Sequence, residues 1–112
     1  MKKPDTGFHD FVIGDLLGEL PGIRSRRMFG GWGMYSGDTF FAIITNGTLY
    51  LKANAEVARE FKKQGSRQFV YTKPKEKKRV TLSSYWSVPE DVLEDQEEFL
   101  RWVNNSIRAL EF

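Results

Sequence analysis

The 112-residue chain contains no cysteine and a single histidine, His9. Without cysteine there is no disulfide framework, no thiolate zinc site and no thiol nucleophile. One histidine also removes cysteine–histidine catalysis and any histidine-rich metal site built from one chain. No G-x-S-x-G elbow presents a serine, and neither G-x-x-x-x-G-K-[ST] nor G-x-G-x-x-G occurs between a strand and a helix. The longest apolar run, Phe40 to Ile44, is far too short to cross a bilayer. The opening Met-Lys-Lys-Pro-Asp is followed by no apolar stretch and no small-residue cleavage site, so the expected location is the cytoplasm.

What remains is an ordinary domain composition. Apolar residues make up 40% and aromatics 14%, which excludes a mainly disordered chain. A single domain of this length can remove roughly two-thirds of its unfolded surface from water. The net charge of +2 conceals segregation: residues 1–23 carry −2, 24–52 carry +3, 53–80 carry +6 and 81–112 carry −5. Such a split either builds a basic face and an acidic face on one domain or lets the two halves pair across the fold.

The densest mixture of residue types runs from Arg24 to Tyr35, with arginines, glycines and aromatics interleaved. Before it, Phe8, Val12, Leu16 and Leu20, with Phe11, Ile13 and Leu17, recur at three and four and predict an amphipathic helix. Asp5 or Thr6 can cap its start, and Pro21-Gly22 stops it. After the arginines, Trp32 to Tyr35 and Thr39 to Thr45 read as strands joined by a turn at Ser36-Gly37-Asp38. Asn46-Gly47 predicts a two-residue type I′ turn, which sets Thr45 opposite Thr48, Ile44 opposite Leu49, Ile43 opposite Tyr50, Ala42 opposite Leu51 and Phe41 opposite Lys52. Strict alternation then puts Phe40, Ala42, Ile44, Leu49 and Leu51 on one face. It puts Phe41, Ile43 and Tyr50 on the other, which is either covered by later elements or free for contact.

A second helix follows, capped by Asn54 and ended near Gly65. Gln68 to Thr72 and Arg79 to Trp86 read as strands around a charged, proline-broken loop from Lys73 to Lys78. Asp95 and Glu98 have capping-box spacing at the start of a closing amphipathic helix bearing Phe99, Val103, Ile107 and Leu110. The predicted fold class is α+β, an antiparallel sheet packed by helices in the order αβββαββα within one domain over residues 1–112.

Four segments together resemble the N-terminal domain of the TfoX/Sxy family of competence regulators. They are Arg27-Met28-Phe29-Gly30-Gly31-Trp32-Gly33-Met34-Tyr35, Phe41-Ala42-Ile43-Ile44, Gly47-Thr48-Leu49-Tyr50-Leu51-Lys52 and Ser84-Tyr85-Trp86-Ser87-Val88-Pro89-Glu90. The resemblance implies a bacterial cytoplasmic protein tied to transcriptional regulation of DNA-uptake genes, with no known catalytic site. Full-length family regulators carry a second, helical domain, whereas this sequence stops at Phe112 after the closing helix; the expectation is a single-domain form.

The remaining chemistry has structural readings. His9 sits at the edge of the first apolar face, and the acids from Glu90 to Glu98 complement helix N-termini. Gly30-Gly31-Trp32-Gly33 fits a bulge or a close helix-to-strand approach. The preferred functional reading is a non-catalytic regulatory domain without cofactor or metal. It would bind a protein partner such as transcription machinery through Arg24, Arg26, Arg27, Phe41, Ile43 and Tyr50. An exposed strand edge would also allow a homodimer. The alternative is a nucleic-acid-binding module using a basic surface of Arg24, Arg26, Arg27, Lys73, Lys75, Lys77, Lys78 and Arg79.

Overall fold

A computed structural model describes residues 6–110 apart from residues 19, 21, 29, 30, 46 and 74. The predicted cap at Asp5, the stop at Pro21, the glycine at Gly30 and the turn residue Asn46 lie outside those residues. The first helix, α1 (Thr6–Asp10), continues as a wider π-helical stretch (Phe11–Leu16), closed by Leu17 N–H donating to the Val12 carbonyl at 2.9 Å. That five-residue span turns Val12 and Leu17 fully inward and leaves Phe11 39% exposed. A regular helix would have buried all three more evenly.

Six strands follow: β1 (Ile23–Met28), β2 (Gly31–Ser36), β3 (Thr39–Thr45), β4 (Thr48–Lys52), β5 (Gln68–Lys73) and β6 (Lys78–Ser87). They form one antiparallel sheet in the order β1-β2-β3-β4-β6-β5, so β1 and β5 are its edges. Helix α2 (Ala55–Lys63) separates β4 from β5, and α3 (Glu90–Leu93) and α4 (Gln96–Leu110) close the chain. The α+β class and antiparallel sheet are those expected, with one strand more than the order αβββαββα. That strand, β1, hides in the sequence because arginines fill its exposed positions.

The β3–β4 register matches the expectation from Thr45↔Thr48 through Ala42↔Leu51, with Gly47 at φ 72°, but the expected Phe41–Lys52 pair does not form because β3 bulges at Phe41. The expected caps also form: Asn54 Oδ1 accepts from Val57 N–H at 2.9 Å, and Asp95 Oδ1 accepts from Glu98 N–H at 3.2 Å. Each such cap satisfies an orphan amide and stabilises by about 1 kcal/mol.

The helices gather on one face of the sheet, here the inner face. Met34, Ala42, Ile44, Leu49 and Leu51 meet Val12, Leu17, Phe61, Val92, Phe99, Trp102 and Val103 in a single core. Phe61 of α2 stacks on Trp102 of α4 with ring centroids 4.2 Å apart and planes within 4°. Fully buried Ser106 donates its hydroxyl to the Lys52 carbonyl, tying α4 to the end of β4. A shared network, Ser66 Oγ to Ser87 O at 2.5 Å and Arg67 N–H to Ser87 Oγ at 3.0 Å, holds the entry of β5 to the end of β6.

Alternation fails at one point. Met34 pairs Ala42 while Tyr35 pairs Phe40, so Phe41 is an extra residue without a partner on β2, a β-bulge. The bulge overturns the expected faces of both phenylalanines: Phe41 turns inward and is 0% exposed within the core, while Phe40 moves to the opposite, outer face.

Two glycines do make close approaches, but to neighbouring strands and not to a helix as expected. A Cβ at Gly31 would collide with the Ile44 carbonyl, which is backbone and cannot yield. At Gly33 it would meet Met28 Sδ at 2.6 Å and Phe40 Cε1 at 2.7 Å, the ends of side chains that can swing. Gly31→Ala should therefore destabilise by at least about 2 kcal/mol, a fall of roughly 10 °C in Tm, and Gly33→Ala by less. Thermal denaturation of the two variants checks both the size and the order.

Candidate functional site

The sheet has a second face without helices. Register places Gly33, Ile43 and Tyr50 side by side on it, followed by Tyr35 beside Phe40 and Lys52 beside Tyr85. Rings from five strands make up this surface. Tyr35 and Phe40 are 5.1 Å apart, Phe40 and Tyr85 6.3 Å, and Tyr50 and Phe69 4.6 Å, all tilted pairs. Each of the five is half-buried, so part of each side chain stays open to water. Met28 and Phe40 lie over Gly33, and Tyr50 stands on the other side of Ile43, which leaves Ile43 only 3% exposed.

Cations edge the rings. The Arg24 guanidinium sits 5.5 Å from the Tyr35 ring centre and Lys52 Nζ lies 5.8 Å from that of Tyr85. Arg24 also donates Nη2–H to the Gly37 carbonyl at 2.8 Å and lies 3.9 Å from the exposed Asp38 carboxylate, which positions it beside the β2–β3 turn. Pleating puts Arg26 on the same side of β1 as Arg24, across from Gly33, and it is exposed.

The segregation of charge now has a spatial form. The six strands contain Arg24, Arg26, Arg27, Lys52, Lys73, Lys78 and Arg79 and not one acid. The helical segments hold eight acids against five bases. The strands are thus net positive and the helical segments net negative, and the ion pairs Lys63–Glu60 and Arg101–Glu98 stay within single helices. This layering polarises the domain across its thickness.

The expected site residues separate. Arg24 and Arg26 face outward together, but Arg27 turns to the inner side, where its guanidinium lies 5.2 Å from the Trp32 ring centre. Tyr50 stays on the outer face. Phe41 and Ile43 are buried inside the monomer and offer no contact surface, a correction that follows from the bulge and from the overlying side chains. Lys75, Lys77, Lys78 and Arg79 are exposed at the β5–β6 hairpin, two strands beyond β3 and away from β1 at the far edge. The two basic groups expected to merge are therefore at opposite ends of the sheet. The Lys73 side chain lies outside the described residues.

Four outer-face rings, Tyr35, Phe40, Phe69 and Tyr85, were not among the expected site residues. Their common face depends on the bulge and on pairing between strands distant in sequence; the only local signal is the alternation of large and small residues along β2 and β6.

His9 takes the structural role expected for it, with three contacts. Its Nε2 lies 2.8 Å from Ser25 Oγ and its Nδ1 3.0 Å from Asp10 Oδ1, while its ring stacks on Trp32 at 3.8 Å. The types and order match a serine–histidine–aspartate array, but the surroundings fit anchoring. The imidazole is largely covered by Trp32, Asp10 is 72% exposed so water screens its charge, and Ser25 lies within an extended edge strand with no sharp elbow to present it. These contacts pin α1 to the β1–β2 hairpin. Among the described residues the buried Trp32 Nε1 has no hydrogen-bond partner, and a buried donor left so costs about 1–3 kcal/mol.

Tyr85 is the group on this surface whose ionisation is visibly perturbed. Burial, and secondarily the neighbouring Tyr35, raise its phenol above the ordinary value of 10.0. A phenol raised in the folded state contributes stability that is fully present below pH 10 and is lost as pH climbs through the folded value. Thermal melts from pH 8 upward should thus show an alkaline loss of stability that is smaller in Tyr85→Phe than in the parent chain.

Comparison with known proteins adds a lineage to this geometry. Residues 15–110 match the TfoX N-terminal domain family. The chain is also 32% identical over 90 residues to the DNA transformation protein TfoX1 of Aliivibrio fischeri (strain ATCC 700601 / ES114), covering 80% of this chain and 39% of that protein. It spans about two-fifths of the length of that curated relative.

Proposed function

The chain belongs to the TfoX N-terminal domain family, and from that premise we propose that it is a non-catalytic regulatory module of bacterial DNA transformation. It acts by contact. The observation that supports this reading is the one-sided sheet: the helices complete the core from the inner face, and the outer face presents five aromatic rings edged by Arg24, Arg26 and Lys52.

Such a surface suits a partner that carries negative charge and flat apolar area. Charge-assisted hydrogen bonds from the guanidinium groups orient it, and burial of the rings supplies the affinity. Regulation of DNA-uptake genes in the cytoplasm, expected from the family, then proceeds by recruitment and needs no bond-making step. The Ser25–His9–Asp10 array supports the same view, because its work is to dock α1.

A reporter of DNA-uptake gene expression in the native host, carrying the protein as it exists there, tests the reading. Arg26→Glu combined with Tyr50→Ser should lower induction at least ~10-fold while protein level and a folded circular dichroism spectrum hold, since central contact residues commonly contribute about 2 kcal/mol or more. Unchanged induction would remove the outer face from the function.

A further inference from the structure

The composition of the outer face narrows the class of partner, granted the reading that this face is the contact surface. Five rings on an open sheet, drawn from β2, β3, β4, β5 and β6, form a platform on which unstacked bases can lie. Arg24 and Arg26 stand on the edge strand β1 and Lys52 at the end of β4, with Arg24 over the Tyr35 ring, Lys52 over the Tyr85 ring and Asp38 beside Arg24, so that the cations are placed to meet phosphates on either side of the rings. Arg24 spends one donor on the Gly37 carbonyl, and its side chain is 64% exposed, so the other guanidinium donors remain open to phosphate oxygens.

Other occupants fit less well. A second copy placed face to face would oppose two surfaces whose strands hold seven bases and no acid, a like-charge arrangement. An acidic protein surface would meet the cations but leave the rings without stacking partners. A nucleic acid duplex keeps its bases stacked on one another and hidden from a flat sheet. A single strand answers both features at once. Tyr35, Tyr50 and Tyr85 add hydroxyl groups among the rings, which can pair with ribose 2′-hydroxyls, the group that distinguishes RNA from DNA.

We propose that the outer face binds single-stranded RNA, with bases stacked on Tyr50, Tyr85 and their neighbouring rings and phosphates held by Arg24, Arg26 and Lys52. The binding is sequence-tolerant, because every base has a π-face and no base-edge reader is needed for stacking.

Fluorescence anisotropy of an end-labelled, mixed-sequence RNA oligonucleotide titrated with the intact protein at about 50 mM salt tests this, where phosphate contacts are strong. The expected result is saturable binding, weaker for DNA of the same sequence and absent for the RNA duplex. Three phosphate contacts at about 0.7 each set a log–log salt slope near −2, and Arg26→Ala should reduce it by about 0.7. Tyr50→Leu and Tyr85→Leu should each weaken binding ~10-fold with an unchanged circular dichroism spectrum. Arg26→Ala, an exposed position, keeps the test decisive if a tyrosine variant fails to fold. Lys62→Ala with Lys63→Ala, on α2, should leave binding intact.

No saturable binding, equal affinity for DNA or duplex, or equal loss in the Lys62/Lys63 variant would overturn the proposal. So would a concentration-dependent dimer, seen by sedimentation, that Tyr50→Leu dissolves. If RNA fails to bind but the Arg26→Glu, Tyr50→Ser protein loses induction in cells, the RNA assignment falls and the outer face as contact surface stands. If both assays are silent, both readings fall.

Discussion

Two adjacent phenylalanines open β3, and a flat strand would have to send one to each side in the wrong order for this fold. The bulge at Phe41 resolves the conflict by giving β3 one residue more than β2 across from it. Phe41 can then join Ala42 and Ile44 beneath α4, and Phe40 can lean over Gly33 toward Tyr35 and Tyr85. The helix-packed core and the aromatic surface are therefore set by the same local irregularity. Bulges re-aim side chains in this manner where a sheet must serve two environments.

The sequence is legible where the determining interactions are local. A turn at Asn46-Gly47, caps at Asn54 and Asp95 and the periodicity of the final helix depend on neighbours within four residues, and the elements that follow from them form as expected. Three features depend on distant partners and escape such reading. Strand β1 has no apolar alternation of its own, since its pairing with β2 supplies what its side chains do not. The bulge needs knowledge of which β2 residue each β3 residue opposes. The first helix widens because Val12 and Leu17 must both reach the core, a demand set by α4 and the sheet and invisible in the three-and-four spacing.

The candidate site follows the same division. Its arginines are conspicuous in the sequence, yet their orientation is not: pleating divides Arg24 and Arg26 from Arg27, which spends its charge on Trp32. The rings are scattered from Tyr35 to Tyr85 and come together only through the strand order β2-β3-β4-β6-β5. Charge adds a further level, because segregation along the chain becomes segregation between layers once the basic segments form strands and the acidic ones form helices. Family membership supplies the biological setting, and the geometry supplies a surface on which that setting can act.

The arginines of β1 have one more consequence, which concerns what the chain avoids. An open sheet ends in strands whose unsatisfied backbone groups can template the addition of further strands. At the β1 edge three of the six residues carry a guanidinium, so a copy docking there in register would bring rows of positive charge together. The same side chains that make one broad face attractive to anions thus make the adjoining rim hostile to self-polymerisation. Replacing those arginines to weaken the proposed binding would also weaken the guard against fibrous assembly.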